Sequence, residues 1–461
     1  MEIPPDKLEI CLEVLQQISE DPSVIDTHER MKALIAKIHQ KGKRGKRLAL
    51  REAELSADRR LQAETAIVAS QRAQRPTAML LEAEAPPVKT LNRPERCYIC
   101  KVPYTELHFF YHMLCPKCAA FNYRKRNQRA DLEGRVALVT GGRLKIGYQS
   151  VLGMLRDGAR VLVTTRFPRD AALRFQTEPD FDLWQHRLRI YGLDLRNLRA
   201  VEGFIEHLLE SEPCLDIIIN NAAQTIKRPP SFYRAEEDLE CLAVDALPDA
   251  ARRLIAPEMP SSRPQLEGGP IRVERLPELS TRFSLAALDA DGQPLDLRAV
   301  NSWALKLAEV SSVEMLEVQL VNAVSPFMLN SRLKPLLLNS PFARRFIVNV
   351  SAVEGQFNRD TKTPNHPHTN MAKAALNMMT RTSAVDYAQD GIYMNSVDTG
   401  WITDENPHDK KIHLQETRGF YTPLDVIDGT ARIYDPIVQG IEDPAEPLFG
   451  HFLKDYVPCA W

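Results

Sequence analysis

Residues 136–147 read Val-Ala-Leu-Val-Thr-Gly-Gly-Arg-Leu-Lys-Ile-Gly. The apolar run at the start predicts a short buried β-strand, and the glycine-rich turn after it leads into a helical pattern. Glycine lets the backbone approach a diphosphate closely, and the free N–H groups of a helix N-terminus bind its charge. The stretch therefore predicts a strand, turn and helix that bind a dinucleotide, with contacts from Thr140, Gly141, Gly142, Arg143, Ile146 and Gly147.

The same apolar character returns in later segments, most of them separated by helical patterns. With the first strand placed at 135–140, the further predicted strands are 160–165, 188–193, 216–220, 345–350 and 393–397. Strands that alternate with helices predict a parallel sheet covered by helices. The predicted fold class is therefore α/β, with a doubly wound, Rossmann-type sheet over residues 131–461.

One interval, at about 225–300, interrupts this alternation. It contains nine prolines and the pair Gly268-Gly269, without a helical or strand period. A loop of this length inside a compact domain is either functional or partly disordered. Because ligands of open α/β sheets bind beyond the carboxyl ends of the strands, we expect this insertion to cover the substrate site or to form an interface.

The first part of the chain has a different character. Residues 1–81 are predicted to be helical, because apolar residues such as Leu8, Leu12 and Leu15 recur at helical spacing. Three prolines among short polar residues predict a linker over 82–96. Residues 41–51 carry six cations and no acid, which indicates a solvated turn before a further helix or, alternatively, a contact with nucleic acid or an acidic protein.

A small module over 97–130 contains two Cys-x-x-Cys pairs separated by fourteen residues. Four thiolates in this arrangement complete a tetrahedral shell for Zn²⁺. A closed shell leaves no position for water, so the predicted zinc is structural, and its binding supplies folding energy that so small a segment lacks. A redox or iron–sulfur role is the alternative. The predicted ligands are Cys97, Cys100, Cys115 and Cys118.

The composition sets outer limits on the class of protein. The chain has 461 residues, 44% hydrophobic and 26% charged, which fits a globular protein of two or three folded units. The sequence predicts neither a membrane span nor a secretory signal, because it lacks a long apolar stretch and a basic N-terminal segment followed by an apolar one. Together with the scattered remaining cysteines, this predicts a cytoplasmic protein.

Three asparagine-containing motifs end later strands: Asn220-Asn-Ala-Ala, Asn349-Val-Ser and Asn395-Ser-Val-Asp-Thr-Gly-Trp-Ile-Thr403. With residues 136–147, their order and spacing resemble the short-chain dehydrogenase/reductase family over roughly 134–461, apart from the insertion. The resemblance implies a nicotinamide cofactor at the glycine turn and a homo-oligomer. It also implies cofactor contacts from Asp194, Leu195, Asn221, Ala222, Lys373, Gly400, Ile402 and Thr403.

The choice between the two nicotinamide cofactors depends on the end of the second predicted strand. An acidic residue there would bind the ribose hydroxyls and repel a 2′-phosphate. This chain has Arg166 instead. Arg166 and Arg143 can each bind a 2′-phosphate by charge-assisted hydrogen bonds, so the sequence predicts NADP(H) rather than NAD(H).

The resemblance implies catalysis by an Asn, a Ser, a Tyr and a Lys. Asn322 and Lys373 match two of these, and Ser351 lies at the serine position or one residue before it. Thr369 stands where the tyrosine is expected, and its hydroxyl is a far weaker acid than a phenol. Because imidazole titrates near neutral pH, His366 and His368 are candidate replacements as proton donor.

Two functions remain open from the sequence. The first is an NADP(H)-dependent oxidoreductase that acts on a carbonyl or alcohol with an altered proton relay, which Asn322 and Lys373 favour. The second is an NADP(H)-binding sensor or scaffold without turnover, whose zinc module and helical N-terminus bind a protein or nucleic acid. The missing tyrosine favours the second. No residue identifies the class of small-molecule substrate.

Overall fold

A computed structural model of the chain describes residues 4–73, 88–257, 288–289, 291–358, 362–443 and 445–461. Ten strands occur in these ranges: β1 (Lys89–Arg96), β2 (Pro103–Leu107), β3 (Val136–Thr140), β4 (Arg160–Thr165), β5 (Leu188–Gly192), β6 (Ile217–Asn220), β7 (Arg345–Ser351), β8 (Ile392–Asp398), β9 (Phe452–Lys454) and β10 (Val457–Cys459).

The described helices lie on both sides of these strands and in the N-terminal region. They are α1 (Pro5–Glu20), α2 (Glu29–Ala63), α3 (Ala66–Ala73), α4 (Pro116–Arg126), α5 (Lys145–Arg156), α6 (Pro168–Gln176), α7 (Phe181–Trp184), α8 (Leu198–Ser211), α9 (Arg234–Cys241), α10 (Asp249–Leu254), α11 (Ser312–Gln319), α12 (Ser325–Arg332), α13 (Lys334–Leu338), α14 (Pro367–Gln389), α15 (His408–Arg418) and α16 (Val426–Glu442). None of the helices just named is both long and apolar enough to cross a membrane.

Eight of the strands form one sheet in the order β10-β9-β8-β7-β6-β3-β4-β5. The strands from β3 to β9 run parallel to their neighbours, and β10 is antiparallel to β9. The chain moves outward from β3 to β5 and returns to the other side of β3 with β6, which creates a topological switch point between β3 and β6. This confirms the predicted doubly wound α/β fold.

The sheet is buried on both faces because its strands are apolar throughout. On β3, Ala137 and Val139 face one apolar core, and Val136 and Leu138 face the other. The first core contains residues of α5, α6 and α16, and the second contains residues of α8, α12 and α14. This explains why the six predicted strands all occur, with ends within one residue of the predicted ones.

The N-terminal region agrees with the sequence in part. Helices α1–α3 confirm a helical N-terminal region. The turn expected within 41–51 is wrong, because α2 runs unbroken through this segment with its basic side chains exposed. The described part of the predicted linker also differs, since residues 89–96 form β1, which pairs with β2.

Strand β1 was not predicted because it is polar and contains Pro94. Its register shifts between Thr90 and Glu95, and there the buried carboxylate of Asp58 on α2 accepts hydrogen bonds from backbone N–H groups. The distances from these N atoms to the Asp58 oxygens are 2.7 Å for Asn92 and 3.2 Å for Arg93. A contact distant in sequence therefore holds this strand, which local pattern does not indicate.

The insertion is described at 225–257, 288–289 and 291–300, and the rest of it lies outside the described residues. These parts contain α9, α10 and several 3-10 turns. Helix α10 packs against α6 beside the sheet, with Ala251 and Leu254 in the first apolar core.

Candidate functional site

A cavity of about 1350 Å³ lies at the carboxyl ends of the parallel strands, at the switch point. It brings together most of the residues singled out in the sequence. Of the predicted cofactor contacts, those that line it are Gly141, Arg143, Ile146, Gly147, Arg166, Asp194, Leu195, Asn221, Ala222, Lys373, Gly400, Ile402 and Thr403.

The glycine turn is shaped by two close approaches. Gly141 has φ +70°, a left-handed conformation that favours glycine. A Cβ atom on Gly147 would lie 2.2 Å from the carbonyl oxygen of Gly141 and 2.5 Å from Nδ2 of Asn221. Side chains are thus excluded at the point where the helix N-terminus meets the cavity, as diphosphate binding requires.

The asparagine motif after β6 supports this turn. The side-chain amide of Asn221 donates to the carbonyl oxygens of Thr140 and Gly141, at 3.0 and 3.1 Å. The backbone N–H of Ala222 donates to Oγ1 of Thr140 at 3.0 Å. Thr140 and Gly142 are buried behind the turn and do not line the cavity. They were predicted to contact the cofactor, but in this position they support the glycine turn instead.

The two arginines proposed for a 2′-phosphate have different surroundings. The guanidinium of Arg143 is buried and pairs with Asp170 at 2.7 Å and Glu236 at 3.3 Å, and it donates to Gln293 Oε1 at 3.0 Å. Two of these partners belong to the insertion, and the two carboxylates already neutralise the cation. The structure therefore does not favour Arg143 as a phosphate ligand.

Arg166, by contrast, is exposed at the end of β4 and lies over the ring of Tyr233, 4.4 Å from its centroid. Within the described residues, no carboxylate oxygen lies within 4 Å of its guanidinium nitrogens. Asp194, a predicted cofactor contact, is paired with Arg196 at 2.5 Å. Of the two predicted arginines, Arg166 is therefore the one that is available to an anionic ligand.

Lys373 and Ser351 lie at the other end of the cavity. Lys373 Nζ donates to the carbonyl oxygen of Val350 at 2.8 Å, and burial lowers the pKa of this amine to about 8. Ser351 is the last residue of β7 and donates from Oγ to Oδ1 of Asn377 on α14, at 2.6 Å. The neighbouring Ala352 also lines the cavity, so both alternatives for the serine position face it.

Thr369 lines the cavity one helical turn before Lys373. Its hydroxyl is buried and makes no hydrogen bond to the described residues. A buried polar atom normally has a partner, so this hydroxyl is a candidate to bind an oxygen or nitrogen of a ligand.

The two candidate histidines differ in their position relative to the cavity. His366 lines the cavity, stacks on Trp303 with centroids 3.9 Å apart, and pairs through Nδ1 with Oδ1 of Asn370 at 2.9 Å. Burial lowers the pKa of His366 below its ordinary value. His368 does not line the cavity, and its Nε2 faces Oε1 of Glu314 at 3.5 Å. Of these two histidines, His366 is therefore the one that lines the cavity.

Asn322 does not line the cavity but shapes its wall. It lies in a π-helical turn between α11 and α12, a feature that often marks functional sites. Its Oδ1 accepts from the N–H of Gln224 at 2.7 Å, and its Nδ2 donates to the carbonyl oxygen of Gln224 at 3.2 Å. The residue therefore fixes the chain just after the asparagine motif of β6.

Several wall residues were missed in the sequence. Tyr98 and Ile99, between the first two cysteines, line the cavity, as do Tyr233 and Gln293 of the insertion. The Tyr98 hydroxyl accepts a hydrogen bond from the backbone N–H of Trp401 at 3.0 Å. No local pattern marks these residues, since their role comes from packing between distant segments.

The four cysteines of the module come together beside this wall. Their Sγ atoms all lie within 4.8 Å of one another, and those of Cys100 and Cys115 are 3.6 Å apart. A tetrahedral zinc with Zn–S bonds of about 2.3 Å needs sulfurs about 3.8 Å apart. The donor set and its spacing fit Zn²⁺.

Comparisons with protein families match two parts of the chain. The family model described as short chain dehydrogenase matches residues 135–247, and the model described as Enoyl-(Acyl carrier protein) reductase matches residues 298–417. The interval between the matches contains most of the insertion.

Similar proteins include viral and animal sequences. An uncharacterized protein of Acanthamoeba polyphaga mimivirus is 33% identical over 364 residues, which cover 76% of this chain and 72% of that protein. Dehydrogenase/reductase SDR family member 13 of Bos taurus is 38% identical over 94 residues, 20% of this chain and 24% of that protein. Retinol dehydrogenase 14 of Mus musculus is 35% identical over 115 residues, 21% of this chain and 34% of that protein. The alignments thus span about a quarter and about a third of these two animal relatives.

Solved structures with a similar chain path include two carbonyl reductases. The NADPH-bound carbonyl reductase from chicken fatty liver has a TM-score of 0.44 and 18% identity, and the alignment covers 72% of this chain and 100% of that one. The carbonyl reductase Sniffer of D. melanogaster has a TM-score of 0.43 and 20% identity, with 71% and 100% covered.

Proposed function

The chain belongs to the short-chain dehydrogenase/reductase family, and on that premise we propose that it is an NADP(H)-dependent oxidoreductase with an altered proton relay. Its substrate is a carbonyl compound or the corresponding alcohol. The observation that carries the proposal is a single cavity with a side-chain-free glycine turn at one end and Lys373, Ser351 and Thr369 at the other.

The cofactor, when bound, supplies or accepts the hydride at its nicotinamide ring. The chain supplies the remaining functions. The Lys373 ammonium binds ribose hydroxyls, and the Thr369 hydroxyl, which has no partner among the described residues, donates a hydrogen bond to the substrate oxygen. The Ser351 hydroxyl can donate to that oxygen only in exchange for its present acceptor, Oδ1 of Asn377. When a carbonyl compound is reduced, the protein would supply one proton to the substrate oxygen, and the hydride would come from the bound cofactor.

We assign that proton to His366, which lines the cavity together with His408 and lies three residues before Thr369. The described cavity wall also contains two tyrosines: the Tyr98 oxygen accepts from the backbone N–H of Trp401, and the ring of Tyr233 lies under Arg166. Replacing His366 with Gln keeps polarity but removes the titrating group. We expect kcat to fall by about 10²-fold or more with little change in cofactor affinity.

Selection of NADP(H) is assigned to Arg166. The guanidinium lies at the end of β4, where the 2′-oxygen of an adenosine ribose is bound in dinucleotide folds, and no acidic residue follows the strand. We also propose a structural Zn²⁺ bound by Cys97, Cys100, Cys115 and Cys118, on the strength of the sulfur spacing.

The test is a titration of the full chain with NADPH and NADH, followed by NADPH oxidation against a panel of carbonyl compounds. We expect tighter binding of NADPH and turnover of at least one substrate. Lys373→Ala should abolish turnover, whereas Lys334→Ala, which removes a cation away from the cavity, should leave it unchanged. Failure to bind either nucleotide contradicts the proposal.

A second function, an NADP(H) sensor or scaffold without turnover, is favoured by one observation: Thr369 stands where a proton-donating tyrosine is needed. In that case the zinc module and the helical N-terminus bind a protein or nucleic acid. The exposed cations of residues 41–51 on α2 are the surface for an anionic partner. NADPH binding with no oxidation, and no effect of Lys373→Ala, would favour this function.

We further propose that the chain forms a homo-oligomer through α14 and its neighbours. Met371, Met378 and Val385 lie seven residues apart on one face of α14 and are 54%, 55% and 61% exposed. Phe327 on α12 is 58% exposed. Large apolar side chains in such a row are typical of an interface. Light scattering on the purified chain tests this, and a monomer at micromolar concentration contradicts it.

A further inference from the structure

We propose that the four-cysteine module holds the segment after β8, residues 399–424, in its place on the cavity wall, with Tyr98 as a positioning residue. This segment contains α15 and is called the loop below. Binding of zinc to the module and binding of the cofactor in the cavity are then coupled, so that loss of the metal weakens the affinity for the cofactor. The inference rests on the proposed function, because it concerns the same cavity. The inference goes beyond the proposed function because it gives the module a role in binding the cofactor.

The first contact is at the cavity itself. Tyr98 follows the first cysteine, and its hydroxyl accepts from the backbone N–H of Trp401 at 3.0 Å. Gly400 and Ile402, on either side of Trp401, line the cavity together with Tyr98. The metal-binding turn of the module therefore touches the segment that borders the cavity.

The second contact is an apolar core shared by the module and the loop. Leu424 is fully buried in the core of the module, beside Cys97 and Leu107. Ile402 and Tyr421 pack against the same core. Both ends of the loop are thus anchored in apolar residues whose arrangement depends on the module, and burial of such side chains stabilises the contact.

The third contact fixes the end of the loop where α16 begins. Arg126 of α4 makes two hydrogen bonds to the carboxylate of Asp425, at 2.6 and 3.0 Å, and Asp425 caps α16. The Tyr111 hydroxyl donates to Oδ1 of Asp428 at 2.5 Å. From α3, Gln71 binds the backbone of Thr422 through both of its amide atoms.

These contacts predict the effect of metal loss. A segment as small as 97–130 lacks the apolar surface to keep its fold without its metal. When the module loosens, Trp401 loses the Tyr98 hydroxyl and Leu424 loses its buried surroundings. The loop is then free to leave the cavity wall, and the cofactor must order it again on binding, which weakens affinity.

The experiment compares the full chain with and without metal. Zinc content is measured by elemental analysis, the NADPH dissociation constant by nicotinamide fluorescence, and the protection of residues 399–424 by limited proteolysis with mass spectrometry. We expect one zinc per chain. Removal by a chelator should weaken NADPH binding at least tenfold and expose new cleavage sites in the loop, and added Zn²⁺ should reverse both changes.

A point variant separates positioning from folding. Tyr98→Phe keeps the ring and the cysteines but removes the hydroxyl, so zinc content should stay the same while NADPH binding weakens about three- to tenfold. The matched control is Tyr104→Phe, whose hydroxyl binds the His112 carbonyl oxygen inside the module. With zinc retained, this control should bind NADPH like the wild type.

Three outcomes overturn the inference: absence of bound zinc, a metal-free chain that keeps its cofactor affinity and loop protection, or equal effects of the two tyrosine variants. If NADPH fails to bind in every state, the proposed function is wrong. The proteolysis pattern with and without metal still decides whether the module holds the loop.

Discussion

A Cβ atom on Gly147 would lie 2.2 Å from the carbonyl oxygen of Gly141, so the helix that begins at the glycine turn admits no side chain there. We expect Gly147→Ala to force the turn apart, lower the melting temperature and weaken NADPH binding by at least tenfold. Gly153→Ala on the same helix is the matched control, since its Cβ would meet nothing within 4 Å. That variant should gain about 0.5–1 kcal/mol of helix stability and bind NADPH normally.

Calorimetry and fluorescence titration of both glycine variants check this prediction. Normal NADPH affinity in Gly147→Ala would mean that the turn does not bind the diphosphate.

Arg166 and Arg143 differ in their partners, and this difference is also testable. Arg166→Ala should weaken NADPH binding by about 10- to 100-fold and leave NADH binding nearly unchanged, because one or two charge-assisted hydrogen bonds to the 2′-phosphate are lost. Arg156→Ala is the control, since Arg156 pairs with Glu178 and Asp180 and does not line the cavity. If Arg166→Ala weakens the binding of NADPH and NADH equally, Arg166 does not bind the 2′-phosphate.

The buried amine of Lys373 makes stability depend on pH. Burial lowers its pKa in the folded chain to about 8, from an ordinary value of 10.5. Between these values the unfolded chain holds a proton that the folded chain has released, so this residue's contribution to the free energy of unfolding rises with pH. Its unfavourable effect is fully present below pH 8 and disappears as the pH approaches 10.5.

Lys373→Met removes this titration. The stability of the variant relative to the wild type should be greatest below pH 8 and should fall toward pH 10.5, by at most about 1.4 kcal/mol per pH unit. Denaturant unfolding at a series of pH values measures the difference. The exposed Lys37→Met on α2 should show no comparable trend. If the difference in the free energy of unfolding between Lys373→Met and the wild type stays constant from pH 8 to 10.5, the lowered pKa of Lys373 is contradicted.

Asn322 pairs with both backbone groups of Gln224, and its loss leaves a donor and an acceptor without a partner. We expect Asn322→Ala to lower the free energy of unfolding by about 1–3 kcal/mol and to reduce cofactor affinity, since the chain after β6 is no longer fixed. The exposed Asn339→Ala should change neither quantity. Urea unfolding gives the first and fluorescence titration the second; wild-type values in Asn322→Ala would exclude this role.

The sheet could be predicted because its signal is local. Each of the six predicted strands is an apolar run long enough to be buried on both faces, as Ile217–Asn220 illustrates. Strands β9 and β10 have three residues each and β1 contains a proline, so pattern alone does not identify them. They exist because neighbouring segments pair with them.

Site residues could be predicted only where a single sequence motif determines their positions. The glycine turn and Asn221 lie where the sequence indicates, since strand ends in a parallel sheet meet at one edge. The sequence did not distinguish Arg143 from Arg166. Glu236 and Gln293 bind Arg143 and not Arg166, and they come from an insertion without a helical or strand period. Likewise, nothing local connects Tyr98 with Trp401, 303 residues later.

Arg432, which is 2% exposed, illustrates how the two halves of the chain depend on each other. Its guanidinium donates to Asn122 Oδ1 at 2.8 Å and pairs with Asp455 at 3.1 Å, so groups from both sides of the sequence boundary near 130 surround one buried cation. A gene rearrangement that replaced the first 130 codons would remove one hydrogen-bond acceptor from that cation, at a cost of about 1.5–3 kcal/mol. At this contact, a change in one part of the chain therefore calls for a compensating change in the other.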